Sequence, residues 1–209
     1  MKEYAILFVI ASVGIALVAG SAFAHHSHPP VYFKAPIELN GTGCPVGSYT
    51  VSGENTDTIT IMFGQYDAAK PTRNAASGMF RTACSFLLPV NVPSGYQISN
   101  LTADWRGYAE GRTRLHREYF LPGKKGPNKT SSPRGDYVER DNLMHAMWSE
   151  CGRGVVPMRV NSSILAVSNP SYISVDTVDL KNKPKVVLTF RLNWRQCRMP
   201  DAVDREVIN

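Results

Sequence analysis

Polar and apolar residues alternate with a period of two through most of the chain. Over residues 186–195, Val186, Leu188, Phe190, Leu192 and Trp194 fall on one side, and Val187, Thr189, Arg191, Asn193 and Arg195 on the other. A strand with one face buried and the other in water has this pattern. Thr58–Phe63 repeats it, with Ile59, Ile61 and Phe63 inward. Phe86, Leu88, Val90 and Val92 alternate likewise, and Pro89 among them points to an edge strand or a bulge, because proline has no N–H for a ladder. Further strands are expected over residues 47–52, 96–108, 113–120, 158–167 and 172–180. Turn residues separate them: Pro93-Ser94-Gly95, Pro122-Gly123, Asn169-Pro170 and Asn182-Lys183-Pro184. Many short strands joined in this way predict an all-β fold, a single antiparallel β-sandwich. A turn or two of helix is expected near residues 141–148. Residues 121–136, LPGKKGPNKTSSPRGD, are too polar to pack and read as one long mobile loop.

The start of the chain breaks the alternation. A short charged lead precedes an apolar run from Ala5 to Val18, and Ala22-Phe23-Ala24 has the small-x-small form of a signal-peptidase site. Residues 1–24 are therefore read as a signal peptide, 25–36 as a polar lead-in, 37–198 as the sandwich and 199–209 as a tail. The apolar run is shorter than the ~20 residues of a membrane helix, and no second one follows, so no span is expected in the mature chain. Export to the periplasm or the extracellular space is the expectation, with the cell envelope as a place of work.

Cys44, Cys84, Cys151 and Cys197 are an even set in an exported chain, which argues for two disulfides. Three pairings are open. Cys44–Cys84 with Cys151–Cys197 is favoured because each bridge then closes one half of the chain, for roughly 3–4 kcal/mol apiece in the chain-entropy model. The net charge of +6 survives loss of the leader, since Lys2 and Glu3 leave together. That excess favours acidic partners such as anionic polysaccharide or lipid headgroups, and no nucleic acid is expected.

Several segments together resemble a known family. They are Asn40-Gly-Thr-Gly-Cys-Pro-Val-Gly-Ser48, Ile59-Thr-Ile-Met-Phe63, Arg81-Thr-Ala-Cys84-Ser-Phe, Val92-Pro-Ser-Gly-Tyr96, Asp104-Trp-Arg-Gly-Tyr108, Trp148-Ser-Glu-Cys151-Gly and Trp194-Arg-Gln-Cys197. Their order and spacing are similar to those of a secreted fungal and bacterial family known as domain of unknown function 4360. The resemblance runs from about Ile37 to Cys197. It implies an exported domain with paired cysteines and carries no activity, substrate or catalytic residue.

Candidate chemistry is sparse. Cleavage after Ala24 exposes His25, His26 and His28, whose terminal amine and imidazoles suit copper, with His116 or His145 as a distant partner. A copper-binding protein, or a copper-dependent polysaccharide oxidase, is the alternative reading. No G-x-S-x-G elbow and no H-E-x-x-H occurs, so hydrolase chemistry lacks its usual signatures. For binding, Lys124, Lys125, Lys129 and Arg134 of the loop, with Arg191 and Arg195 of the last strand, form a candidate surface for an anionic glycan. Trp105, Tyr108 and Trp148 are candidates for a sugar-stacking platform, against a role in the core. N-x-S/T sequons stand at Asn40, Asn100, Asn128 and Asn161, and Arg134-Gly135-Asp136 is an integrin-type tripeptide. The function expected from sequence is an exported non-catalytic structural or interaction domain that binds an envelope protein or a glycan and needs no cofactor.

Overall fold

The computed structural model describes residues 30–99, 102–121, 124–143, 148–152, 154–175 and 188–197. Two antiparallel sheets face each other across one apolar core. The first is built on two long strands, β6 (Arg81–Val92) and β12 (Gly154–Ala166), paired from Arg81 opposite Leu165 to Val92 opposite Gly154. The far edge of β12 carries β9 (Thr113–Leu121), and β10 (Lys124–Ser131) closes that side. Along the free edge of β6 lie two short strands, β1 (Tyr32–Phe33) and β2 (Glu38–Asn40).

The second sheet centres on β8 (Thr102–Glu110). One edge of β8 takes β11 (Gly135–Asn142) along its length. The other edge is shared by β14 (Leu188–Arg191) and β13 (Ser171–Val175). Beyond these come β4 (Thr58–Phe63) with β3 (Tyr49–Ser52) on one side and β5 (Asp67–Lys70) on the other. A separate ribbon pairs β7 (Tyr96–Ile98) with β15 (Trp194–Gln196). The predicted sandwich is the observed one, and both favoured disulfides form, Cys44–Cys84 and Cys151–Cys197.

Alternation explains the core. Phe86, Leu88, Val90 and Val92 of β6 are buried, as are Val156, Met158, Val160 and Ile164 of β12. Phe86 meets Phe63, Trp105 and Phe190 of the opposite sheet edge-on, at ring-centroid distances of 6.1, 5.9 and 5.7 Å. Edge-to-face packing suits the quadrupoles of these rings and locks one sheet against the other.

Four local expectations are corrected. Residues 186–195 are not one strand: β14 ends at Arg191, and Trp194 starts β15 in a different sheet. The switch is anchored by backbone bonds from Leu192 N to Asp57 O and from Ser99 N to Asn193 O. Residues 96–108 likewise divide into β7 and β8. Pro89 sits in an interior strand rather than at an edge. Its neighbours on one side are β1, opposite Val90 and Asn91, and β2, opposite Ser85 to Leu87, so it faces the gap between them and needs no N–H there. Finally, Lys124–Ser131 is a strand, not part of a mobile loop. Backbone pairing with β9 suffices to hold it, Gly126 and Pro127 are absorbed by a register shift between Lys125 and Asn128, and its lysines protect a sheet edge. Of the expected helix, Asp141 and Asn142 belong to β11, and residues 144–147 lie outside the described ones.

A charged group sits inside the sandwich. Arg117, 2% exposed, points inward from β9 and donates from Nε to Asp141 Oδ2 at 2.7 Å and from Nη2 to Asp141 Oδ1 at 3.0 Å. Tyr119 donates to the same carboxylate at 2.5 Å and accepts from Trp105 Nε1 at 2.8 Å. Burial acts to lower the pKa of Arg117, but Asp141 outweighs it through hydrogen bonds and charge, so the guanidinium stays ionised. Nearby, the Tyr66 hydroxyl shares a hydrogen bond with Ser162 at 2.6 Å.

Breaking this pair from one side should be costly. Asp141→Ala is expected to lower the unfolding free energy by about 3–5 kcal/mol, whereas Arg117→Met with Asp141→Leu loses much less, as chemical denaturation can measure. Burial raises the phenol pKa of Tyr66, of Tyr119 (with the charge of Asp141 adding to it) and of Tyr172. A folded-state pKa above the unfolded value of about 10 confers stability that is complete below that pH and lost as pH climbs past it. Alkaline titration should therefore show a late rise in phenolate absorbance coincident with unfolding, and Tyr66→Phe should shrink that late phase.

Candidate functional site

The outward residues of β6, β12 and β2 build a groove of about 580 Å³. Because side chains alternate, the same strands that bury Phe86 and Val160 turn Ser85, Leu87, Arg159 and Asn161 to the surface. Register sets two rows across this face. One runs Glu38, Leu87, Arg159, Phe120 and Lys125; the other runs Asn40, Ser85, Asn161, Glu118 and Asn128. Each row crosses five strands, or roughly 19 Å at about 4.8 Å per strand.

The 41–48 segment contributes Val46, and β3 contributes Tyr49, to the groove wall. That segment is held tightly to β6. Gly43 N donates to Ala83 O at 2.9 Å, Thr42 Oγ1 accepts from Ala83 N at 3.1 Å, and the Cys44–Cys84 bridge closes the attachment. Gly41 has φ +148°, and a Cβ there would collide with the Ala83 carbonyl oxygen. Only glycine lets the chain pass so close.

The groove is chemically mixed. Ser85 donates to Asn161 Oδ1 at 2.9 Å, which orients the amide beside the groove. Arg159 and Glu38 are exposed on either side of Leu87 and make no ion pair among the described residues. Further along the face, His116 Nδ1 bonds Thr130 Oγ1 at 2.8 Å, and its Nε2 lies 3.4 Å from Glu118.

The residues predicted from sequence are placed on different surfaces. Lys124, Lys125 and Lys129 lie on β10, at one edge of the first sheet, and Arg134 follows in the connection to β11. Arg191 is outward on β14 of the other sheet. Arg195 stands on the small ribbon, stacked 3.9 Å from the Trp148 ring centre and held by the Gln97 side-chain oxygen at 2.6 and 2.9 Å. The aromatic platform is not assembled either. Trp105 is fully buried, Tyr108 sits beside Tyr172, and Trp148 is covered by Arg195. His25, His26, His28 and His145 lie outside the described residues, and no cluster of metal-ligating side chains occurs among the described ones.

Sequence reasoning missed Glu38, Arg159, Leu87 and the amide row. The three sequon asparagines Asn40, Asn128 and Asn161 were visible as motifs, but their alignment in one row depends on pairing between strands far apart in the chain. Replacing Cys44 and Cys84 by alanine should lower stability by about 2–4 kcal/mol and free the groove wall from β6, which hydrogen exchange would show as faster exchange at Gly43 and Ala83.

An uncharacterised secreted protein of Arthroderma benhamiae is 26% identical over 178 residues, covering 77% of this chain and 70% of the relative. Among solved structures, the carbohydrate-binding module TmCBM61 in complex with beta-1,4-galactotriose aligns over 75% of this chain and 89% of its own, at 10% identity and a TM-score of 0.35. The enzymatically active domain of bacteriophage CBA120 tailspike protein 4 aligns over 75% of this chain and 19% of its own, at 13% identity and a TM-score of 0.27. Both alignments are too loose to establish a shared fold. The family model described as Domain of unknown function (DUF4360) matches residues 35–197, and the chain belongs to that family.

Proposed function

We propose that this protein is an exported, non-catalytic domain that binds a glycan in the groove over β2, β6 and β12. The observation that carries the reading is the chemistry of that groove. Arg159 supplies several N–H donors, Asn161 and Asn40 supply amides that both donate and accept, and Glu38 accepts. Leu87 and Tyr49 add apolar surface between them. A sugar ring has the complementary form, with hydroxyls around its rim and C–H groups on its faces. Few, well-placed polar groups beside apolar contacts are what a selective small-ligand site requires.

Export is supported by the leader-like residues 1–24, by two disulfides suited to an oxidising compartment, and by the secreted relative. Beyond that, the site of action is the periplasm or the extracellular space.

The test is a glycan array followed by calorimetry, using protein made without N-glycans, because a glycan on Asn40 or Asn161 would fill the groove. Arg159→Ala is expected to weaken binding by about 1.5–3 kcal/mol, which is about tenfold or more in Kd. Asn161→Ala should act in the same direction by about 1 kcal/mol. A protein that retains no glycan, that binds equally well after both substitutions, or that turns the glycan over overturns the reading.

A further inference from the structure

One end of the sandwich has a different character from the groove. Four connections meet there because of the strand directions: residues 71–80 between β5 and β6, 111–112 between β8 and β9, 132–134 between β10 and β11, and 167–170 between β12 and β13. Arg81 opposes Leu165, Leu165 opposes Arg114, and Ala166 opposes Thr113, so these turns share one end of the two sheets. Thr113 Oγ1 donates to Pro133 O at 3.0 Å, which brings the 132–134 turn to the same place.

This end concentrates positive charge. Lys70, Arg73, Arg81, Arg112, Arg114 and Arg134 are on or beside the four turns, against Glu110 and Asp136 as exposed carboxylates. The five arginines make no ion pair among the described residues.

Among these cations stand two exposed apolar side chains, Met79 at 42% and Phe80 at 49% exposure. Their backbone is fixed: Ala69 N donates to Met79 O and Ala166 N to Phe80 O, both at 2.9 Å. The Lys70 ammonium lies 5.1 Å from the centre of the Phe80 ring while bonding Val167 O at 3.3 Å. An exposed apolar pair on a fixed backbone, beside a cluster of cations, fits an interface that is anionic at its surface and apolar just beneath.

We propose that this end docks on an anionic lipid surface, with Met79 and Phe80 entering the headgroup layer and the arginines meeting lipid phosphates. Charge complementarity draws the domain to the surface, and the apolar pair holds it there. A soluble polyanion would satisfy the arginines but leave Met79 and Phe80 in water, which is why lipid is the occupant chosen. The inference does not rest on the groove, which lies on the outer face of the first sheet.

The experiment is co-sedimentation of the purified chain with phosphatidylcholine vesicles, with and without phosphatidylglycerol, at low and high salt. Binding only to the anionic vesicles is expected, weakening as salt rises. Met79→Ser with Phe80→Ser should reduce it about tenfold, and Arg81→Gln with Arg112→Gln should reduce it by a similar factor. Both pairs are exposed, and an unchanged thermal transition shows that each variant is folded. No preference for anionic vesicles overturns the proposal, as does undiminished binding by the folded serine variant. Capture by dextran sulfate with no vesicle binding overturns it too, in favour of a polyanion.

Discussion

The carboxylate of Asp141 organises the interior more than any other single group. It receives Arg117 through two nitrogens and Tyr119 through its hydroxyl, and Tyr119 in turn receives Trp105. These residues come from β9 of one sheet and from β8 and β11 of the other, so the network fixes how the two sheets are placed. An ionised guanidinium in this position has no alternative, because leaving it unpaired would expose the fold to a large desolvation cost. Apolar packing tolerates small slips, but a bidentate ion pair does not.

Around that fixed point, the two sheets divide labour by side-chain parity. The inward set of β6 and β12 is mostly apolar, whereas their outward set mixes polar and charged residues with Leu87, Val155 and Leu165. The consequence is a rigid surface on which Arg159, Asn161 and Ser85 hold fixed spacings. A site on paired central strands is better ordered than one on loops, since each side chain inherits the register of the ladder. The Cys44–Cys84 bridge extends that rigidity to the segment contributing Val46.

The positive charge of the chain is distributed unevenly by topology. Some of it is spent inside on Arg117 or paired on the surface, as with Arg140, whose two bonds to Asp104 hold that carboxyl below its ordinary pKa. Some lies on the β10 edge, where lysines discourage further strand pairing. A further share collects where four connections converge, beside Met79 and Phe80. The same strand directions that bring those turns together leave the groove on the first sheet's outer face, so two dissimilar surfaces coexist on one small scaffold.

What the residues alone determined is the local alternation and its result: an all-β sandwich with β4, β6, β9 and β12 close to where the pattern placed them, and an even set of cysteines for two bridges, whose pairing the sequence left open among three. A period of two and a set of cysteines are properties of short stretches or of counting, so they survive without knowledge of contacts. What only the tertiary structure decided depends on partners distant in the chain. Arg117 shares a face with Leu115 and Tyr119 by parity, yet nothing near it reveals Asp141, 24 residues on. Lys124–Ser131 has no apolar pattern at all and became a strand through backbone pairing with β9. Arg159, Leu87 and Glu38 came to share one row because three strands from separate parts of the chain are in register. Hydrogen bonds between backbones carry no trace in side-chain chemistry, and so the placement of both surfaces emerged only when the sheets closed.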